Sequence, residues 1–130
     1  MASDEAEILV EVEEVGKLVI ELNFARNPET VKAILDALPV ESRVNRWGDE
    51  IYFTIPVEVG PENTTSKVEV GDVAYWPPGK ALCIFFGPTP ISEDDRPKPA
   101  SPVNVVGKVK GDATVLRKVK DGATVTVFQG

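Results

Sequence analysis

The chain has 130 residues, the size of one domain around one hydrophobic core, and residues 1–130 read as a single unit. With 21 acidic against 14 basic residues its net charge is −7, which opposes binding to nucleic acid or an anionic membrane surface. It contains no histidine, which removes Ser-His-Asp and Cys-His catalysis, histidine bases and the commonest zinc ligand together.

Met1 to Ala6 reads as a frayed polar start without the basic opening of an export signal, so the expected location is the cytoplasm. The single cysteine fits a reducing compartment and excludes an internal disulfide framework. Ile8, Val10 and Val12, then Leu18, Ile20 and Leu22 beyond Val15-Gly16, alternate as the two arms of a hairpin. Glu11, Glu13 and Glu21 fall on its solvent face. A helix follows from about Pro28 to Leu38. Asn27 stands at the N-cap, Pro28 suits the first helical position, and Val31, Ile34, Leu35 and Leu38 form one apolar stripe that Pro39 ends.

Val40–Trp47 and Ile51–Val57 predict a second hairpin around Gly48-Asp49, with Ile51, Phe53, Ile55 and Val57 on one face and Tyr52, Thr54 and Pro56 on the other. Gly60 to Asn63 is a turn cluster and Lys67–Val70 a short strand. The run from Gly71 to Pro90 is the centre of the chain: a strand at Val73–Trp76, a turn at Pro77-Pro78-Gly79, and an unbroken apolar stretch, Ala81–Phe86, closed by Gly87-Pro88. Such a stretch is expected of a strand covered on both faces. Seven of the 11 prolines lie between Trp76 and Pro102, and apolar strands bound them on both sides, so the acidic loop Ile91–Pro102 is expected to be stiff.

Val103–Lys110 and Ala123–Phe128 read as further strands. Between them Asp112–Lys120 is open to two readings, a short helix capped by Asp112 or a hairpin leading to Asp121-Gly122. Seven or eight short strands with recurrent turns and one long helix predict a mainly β, closed antiparallel barrel.

Three blocks, in order, carry a resemblance to the cyclophilins, and in particular to the small prokaryotic cyclophilin-like proteins of uncharacterised function. They are Gly16–Leu22 with Asn27-Pro28-Glu29-Thr30-Val31, the Gly71–Phe86 run, and Val105-Val106-Gly107-Lys108-Val109-Lys110-Gly111. The resemblance implies an eight-stranded β-barrel with one long and one short helix, which selects the helix at Asp112–Lys120. It also implies prolyl isomerisation by an arginine beside a hydrophobic groove. The family positions for that chemistry are largely replaced: Ser42-Arg43-Val44 or Asn45-Arg46-Trp47 stands where Phe-His-Arg is expected, and Ala74-Tyr75-Trp76-Pro77 fills a strand otherwise made of small residues.

The candidate ligand-binding residues are therefore Arg43, Arg46, Trp47, Tyr75, Trp76, Pro77 and Phe85, an aromatic rim with two arginines. Each has a plainer alternative: surface ion pairing for the arginines, core or rim packing for the aromatics. On a strand Arg46 shares a face with Val44, and Arg43 with Trp47. Cys83 reads as a buried packing residue, and Glu93-Asp94-Asp95 as a solvated loop rather than a cation site. No residue is assigned a catalytic role, and no pattern calls for a metal or cofactor. The expected function is binding of a peptide or small molecule in an aromatic rim pocket, the alternative being a weak or diverged prolyl isomerase.

Overall fold

The computed structural model describes residues 5–130. The reading of Met1–Ala6 as frayed lies outside these residues for positions 1–4, whereas Glu5 and Ala6 already belong to the first strand. Strands β1 (Glu5–Val12) and β2 (Gly16–Asn23) form the expected hairpin, Val12 opposite Gly16. Their alternation puts Ile8, Val10, Val12, Leu18, Ile20 and Leu22 in the core, with Glu11, Glu13 and Glu21 exposed.

Helix α1 (Pro28–Ala37) follows, its Thr30, Val31 and Ile34 buried. The structure corrects the expectation for its N-cap: the Asn27 side chain makes no cap hydrogen bond. Asn27 is instead fully buried, donating from Nδ2 to the Val105 carbonyl and accepting at Oδ1 from the Asn63 N–H, each at 2.7 Å. The helix terminus is satisfied from a distance by the Glu62 carboxylate, which accepts from the N–H groups of Glu29 at 3.2 Å and Thr30 at 3.1 Å. Asn104, also fully buried, holds the same turn by accepting from the Glu62 N–H at 2.9 Å and donating to the Gly60 carbonyl at 3.1 Å. The Gly60–Asn63 turn thus serves the helix as its cap.

The remaining strands are β3 (Val40–Arg43), β4 (Asn45–Arg46), β5 (Glu50–Thr54), β6 (Asp72–Trp76), β7 (Ala81–Phe85), β8 (Asn104–Lys110) and β9 (Thr124–Gln129). All pair antiparallel in one nine-stranded sheet of order β3-β9-β1-β2-β8-β6-β7-β5-β4. The sheet is a nearly closed barrel, because its two end strands, β3 and β4, are consecutive in the chain. Val40–Arg43 pairs with β9, and Asn45–Arg46 turns to pair with β5. The change of partner comes at Val44, which still donates its N–H to the Ala123 carbonyl. This division of one extended stretch is why nine strands appear where eight were expected, and only its second half joins the Gly48-Asp49 hairpin.

Lys67–Val70 is not a strand. Val68 docks on the outside of the barrel while Val70 stays exposed, and the segment's neighbourhood contributes only an isolated bridge between Thr65 and Val103. Ala113–Lys118 resolves the open reading as a short 3-10 helix, with the Asp112 side chain accepting from the Thr114 N–H.

Two clusters of buried side chains divide the protein. The larger fills the barrel and includes Ile51, Phe53, Tyr75, Leu82, Ile84 and Phe86. The smaller lies on the outer face of β5, β6, β7 and β8 and contains Val68, Ala74, Cys83, Phe85, Val103 and Val105. Every residue of β7 is buried, as a strand sandwiched between these clusters must be. The long loop after β7 covers the outer cluster, with Pro97 and Pro99 buried in it and the Thr89 hydroxyl tied to the Lys98 carbonyl at 2.6 Å.

Candidate functional site

The outer face is not filled completely. A cavity of about 250 Å³ remains between the sheet and the long loop, lined by Trp47, Glu50, Tyr52, Trp76, Cys83, Pro99, Ala100 and Val103. Strand alternation assembles its floor. Glu50 and Tyr52 on β5 project to the same side because they stand two positions apart, and Cys83 lies directly opposite Tyr52 on β7. Trp47 comes from the β4–β5 turn, where Trp47 and Glu50 exchange backbone hydrogen bonds of 2.9 and 3.2 Å. Gly48 occupies that turn at φ 60°, and Pro90 packs so closely that a Cβ there would come within 2.7 Å of its ring.

Trp76 is held on several sides. Its Nε1 donates to Ser101 Oγ at 2.7 Å, Gly79 lies against its ring, and it meets Tyr52 edge-on, with centroids 6.1 Å apart and planes at 71°. The two rings therefore form a near-perpendicular corner.

Glu50 is the charged group of this cavity. It is 5% exposed, and its Oε1 is buried without a hydrogen-bond partner. Burial pushes its carboxyl up from an ordinary 4.5 to about 7, with the Cys83 thiol drawing it back slightly. The same neighbour answers the question of thiol activation. Burial pushes the Cys83 thiol well above its ordinary range, and the Glu50 carboxylate raises it further, since a thiolate beside a carboxylate is a pair of like charges. Cys83 lines the cavity as a neutral, weakly polar wall. A water-soluble thiol reagent should therefore label Cys83 far more slowly in native protein than after unfolding, and rapid native labelling would contradict this placement.

Of the residues singled out from sequence, Trp47 and Trp76 line this cavity and Phe85 belongs to the packed cluster beneath it. Tyr75 faces the opposite way. It is wholly inside the barrel, its hydroxyl donating to the Val57 carbonyl at 2.5 Å. Pro77 lies in a separate shallow cleft, together with Pro61, Pro78 and Pro102.

Neither arginine reaches the cavity. Arg43 donates to the Gly122 carbonyl at 3.2 Å. Arg46 is fully committed: it donates to the carbonyls of Gly48, Arg117 and Val119 at 3.0, 2.8 and 3.1 Å, and pairs with Asp49 at 3.3 Å. Its guanidinium also stacks 5.2 Å from the centre of the Phe86 ring. Among the described residues no group of acidic, cysteine or histidine side chains could hold a metal ion.

Sequence reasoning reads Asp49-Glu50 as a tight turn before it is a site, and it passes over Tyr52, Pro99, Ala100 and Val103 as lining residues. A signal for Glu50 and Tyr52 was present. If β7 is covered on both faces, outward residues of the strand paired with it are shielded as well as far as the cover extends, and on β5 these are Glu50 and Tyr52, whereas Thr54 at the strand's end stays exposed.

Residues 6–128 match the family model described as Cyclophilin-like. The solution structure of a hypothetical protein from Archaeoglobus fulgidus is similar over 99% of this chain and 98% of that one, at 48% identity and a TM-score of 0.86. No curated protein matches the chain.

Proposed function

The chain belongs to the cyclophilin-like family, and on that premise we propose that it is a noncatalytic member that binds a small molecule in the outer-face pocket of Trp47, Tyr52, Trp76 and Glu50. The observation that carries this reading is the convergence of both tryptophans and a buried carboxyl on one unfilled space. Three aromatic surfaces around a single charged group is the makeup of a ligand site: an apolar wall supplies contact area and one polar group sets orientation. The volume of about 250 Å³ is just under the lower end for ligand pockets, ~300 Å³, and equals the liquid volume of about eight waters. It suits a compact molecule or one side chain of a peptide.

The isomerase alternative lacks its chief instrument. Twisting an X-Pro amide over a barrier of about 20 kcal/mol requires a donor preorganised towards the proline nitrogen. Arg43 and Arg46 are the arginines that precede Trp47 in the β3–β4 stretch, and backbone carbonyls accept from both.

Two tryptophans are present in the whole chain, and both line the pocket, so intrinsic fluorescence reports on it directly. In a small-molecule screen, binders should shift or quench this emission, and Trp76→Phe should remove most of the response. A proline-isomerisation assay on the same protein should stay near the uncatalysed rate. Isomerase activity at ordinary enzyme efficiency, abolished by Arg43→Ala or Arg46→Ala, would replace this reading with the enzyme.

A further inference from the structure

We infer that the pocket takes an organic ammonium ion, whose N–H is donated to Glu50 Oε1 and whose hydrocarbon body lies against Trp47, Tyr52 and Trp76. This rests on the pocket being a ligand site, and it specifies the chemistry of the ligand.

The first support is the orphaned oxygen. A buried carboxyl oxygen without a donor is a costly exception in a folded protein, and the side chain that carries it is one that lines the open space. A ligand that brings an N–H removes that exception. The second support is independent of the first: the Tyr52 and Trp76 planes, at 71°, form two sides of an aromatic corner with Trp47 beside it. Aromatic faces attract a cation through their negative quadrupole, and the attraction is greatest where water is excluded. A neutral apolar ligand would use the rings and leave Glu50 Oε1 unpaired; an anion would be repelled by both.

No other charge competes. The lining residues from β5, β6, β7 and the long loop contribute Tyr52, Trp76, Cys83, Pro99, Ala100 and Val103, none of them cationic. The nearest basic side chain in the same turn, Arg46, is held by Asp49 and three carbonyls. The net charge of −7 favours approach of a cation over long range.

The test is calorimetric titration of the full chain with three probes of one length: n-hexylammonium, hexan-1-ol and hexanoate. At pH 8 the ammonium should bind at least tenfold more tightly than the alcohol, with hexanoate weakest. Glu50→Gln should reduce the preference to threefold or less. The wild-type preference should also shrink between pH 8 and pH 5.5 as Glu50 takes up its proton, a readout that does not depend on the variant folding. Comparable affinity for all three probes, or a preference for hexanoate, would overturn the ammonium inference while leaving a general ligand pocket in place. Binding of none of the three at either pH would overturn both.

Discussion

Gly107→Ala should destabilise the barrel by more than about 3 kcal/mol, a large share of the ~5–15 kcal/mol that holds a domain of this size together. Gly107 lies on β8 between Leu22 of β2 and Val73 of β6. A Cβ built there would collide with the Glu21 carbonyl and approach the Leu22 Cα to 3.0 Å. These are backbone atoms of a central strand, so no rotamer change relieves the overlap; the two strands must separate. The β6–β8 register also shifts between Val73 and Ala74, beside this contact, so the sheet has no regular ladder there to absorb the strain. Urea unfolding gives the measurement. A variant within 1 kcal/mol of wild type would show that the β2–β8 spacing is not set by the missing side chain.

The second large effect is a dependence of stability on pH that one residue controls. Folded Glu50 holds its proton up to about pH 7, whereas in the unfolded chain it titrates near 4.5. Below 4.5 both states are protonated and burial of the carboxyl adds no ionic cost. As pH rises from 4.5 to 7, the unfolded state releases its proton first, so stability falls through this window. Above it the loss levels off at about 3 kcal/mol. Other carboxylates titrate in the same range, so the useful quantity is the difference between Glu50→Gln and wild type. That difference should shift in favour of the variant by about 3 kcal/mol between pH 4.5 and pH 8. A constant difference across the window would mean that Glu50 is solvated in the folded protein. The same experiment repeated with n-hexylammonium at saturation should return much of the lost stability to the wild type at pH 8, because a ligand that binds only the folded state stabilises it.

The parts of this architecture that sequence reveals are those where one local pattern has one outcome. Ala81–Phe85 is an apolar run closed by turn residues, and it is buried throughout. Ile8, Val10 and Val12 alternate, and so do Leu18, Ile20 and Leu22, because one side of each strand meets the core. Pro28 at the helix start and Pro39 beyond its end bracket α1 by what proline does to backbone donors. The family blocks are legible for a related reason: at Gly107 two backbones touch, which only glycine permits.

What escaped the sequence was set by partners far along the chain. Val40–Arg46 is extended whichever strand it pairs with, so nothing local marks the change at Val44. Asn27 has the composition of a cap, but Val105 and Asn63 claim its side chain, and Glu62 takes over the helix end from 32 residues away. Val68 and Val70 alternate like a strand, yet only Val68 meets an apolar surface. For the site, the concentration of aromatics and prolines near turns points to Trp47, Trp76 and Pro77 as one rim; the two tryptophans line the cavity, and Pro77 lies in a separate cleft. It cannot separate Trp76 from Tyr75, because adjacent residues of a strand take opposite faces and the sequence does not say which is inward. Glu50 is harder still, since a carboxylate next to a Gly-Asp turn has the composition of solvated surface.

The two-strand seam at Val44 bears on how copies of this protein behave towards one another. A sheet whose ends meet in seven consecutive residues offers neither β9 nor β5 as a long bare ladder for a neighbour to extend. The closure is thin, because β4 contributes two residues and depends on Arg46 to hold the turn and the 3-10 helix together. Peeling that stretch away would uncover both ladders in one event. Any strand exchange between copies would therefore have to open at this one place, which is held by an arginine that does not line the cavity of Trp47, Trp76 and Glu50.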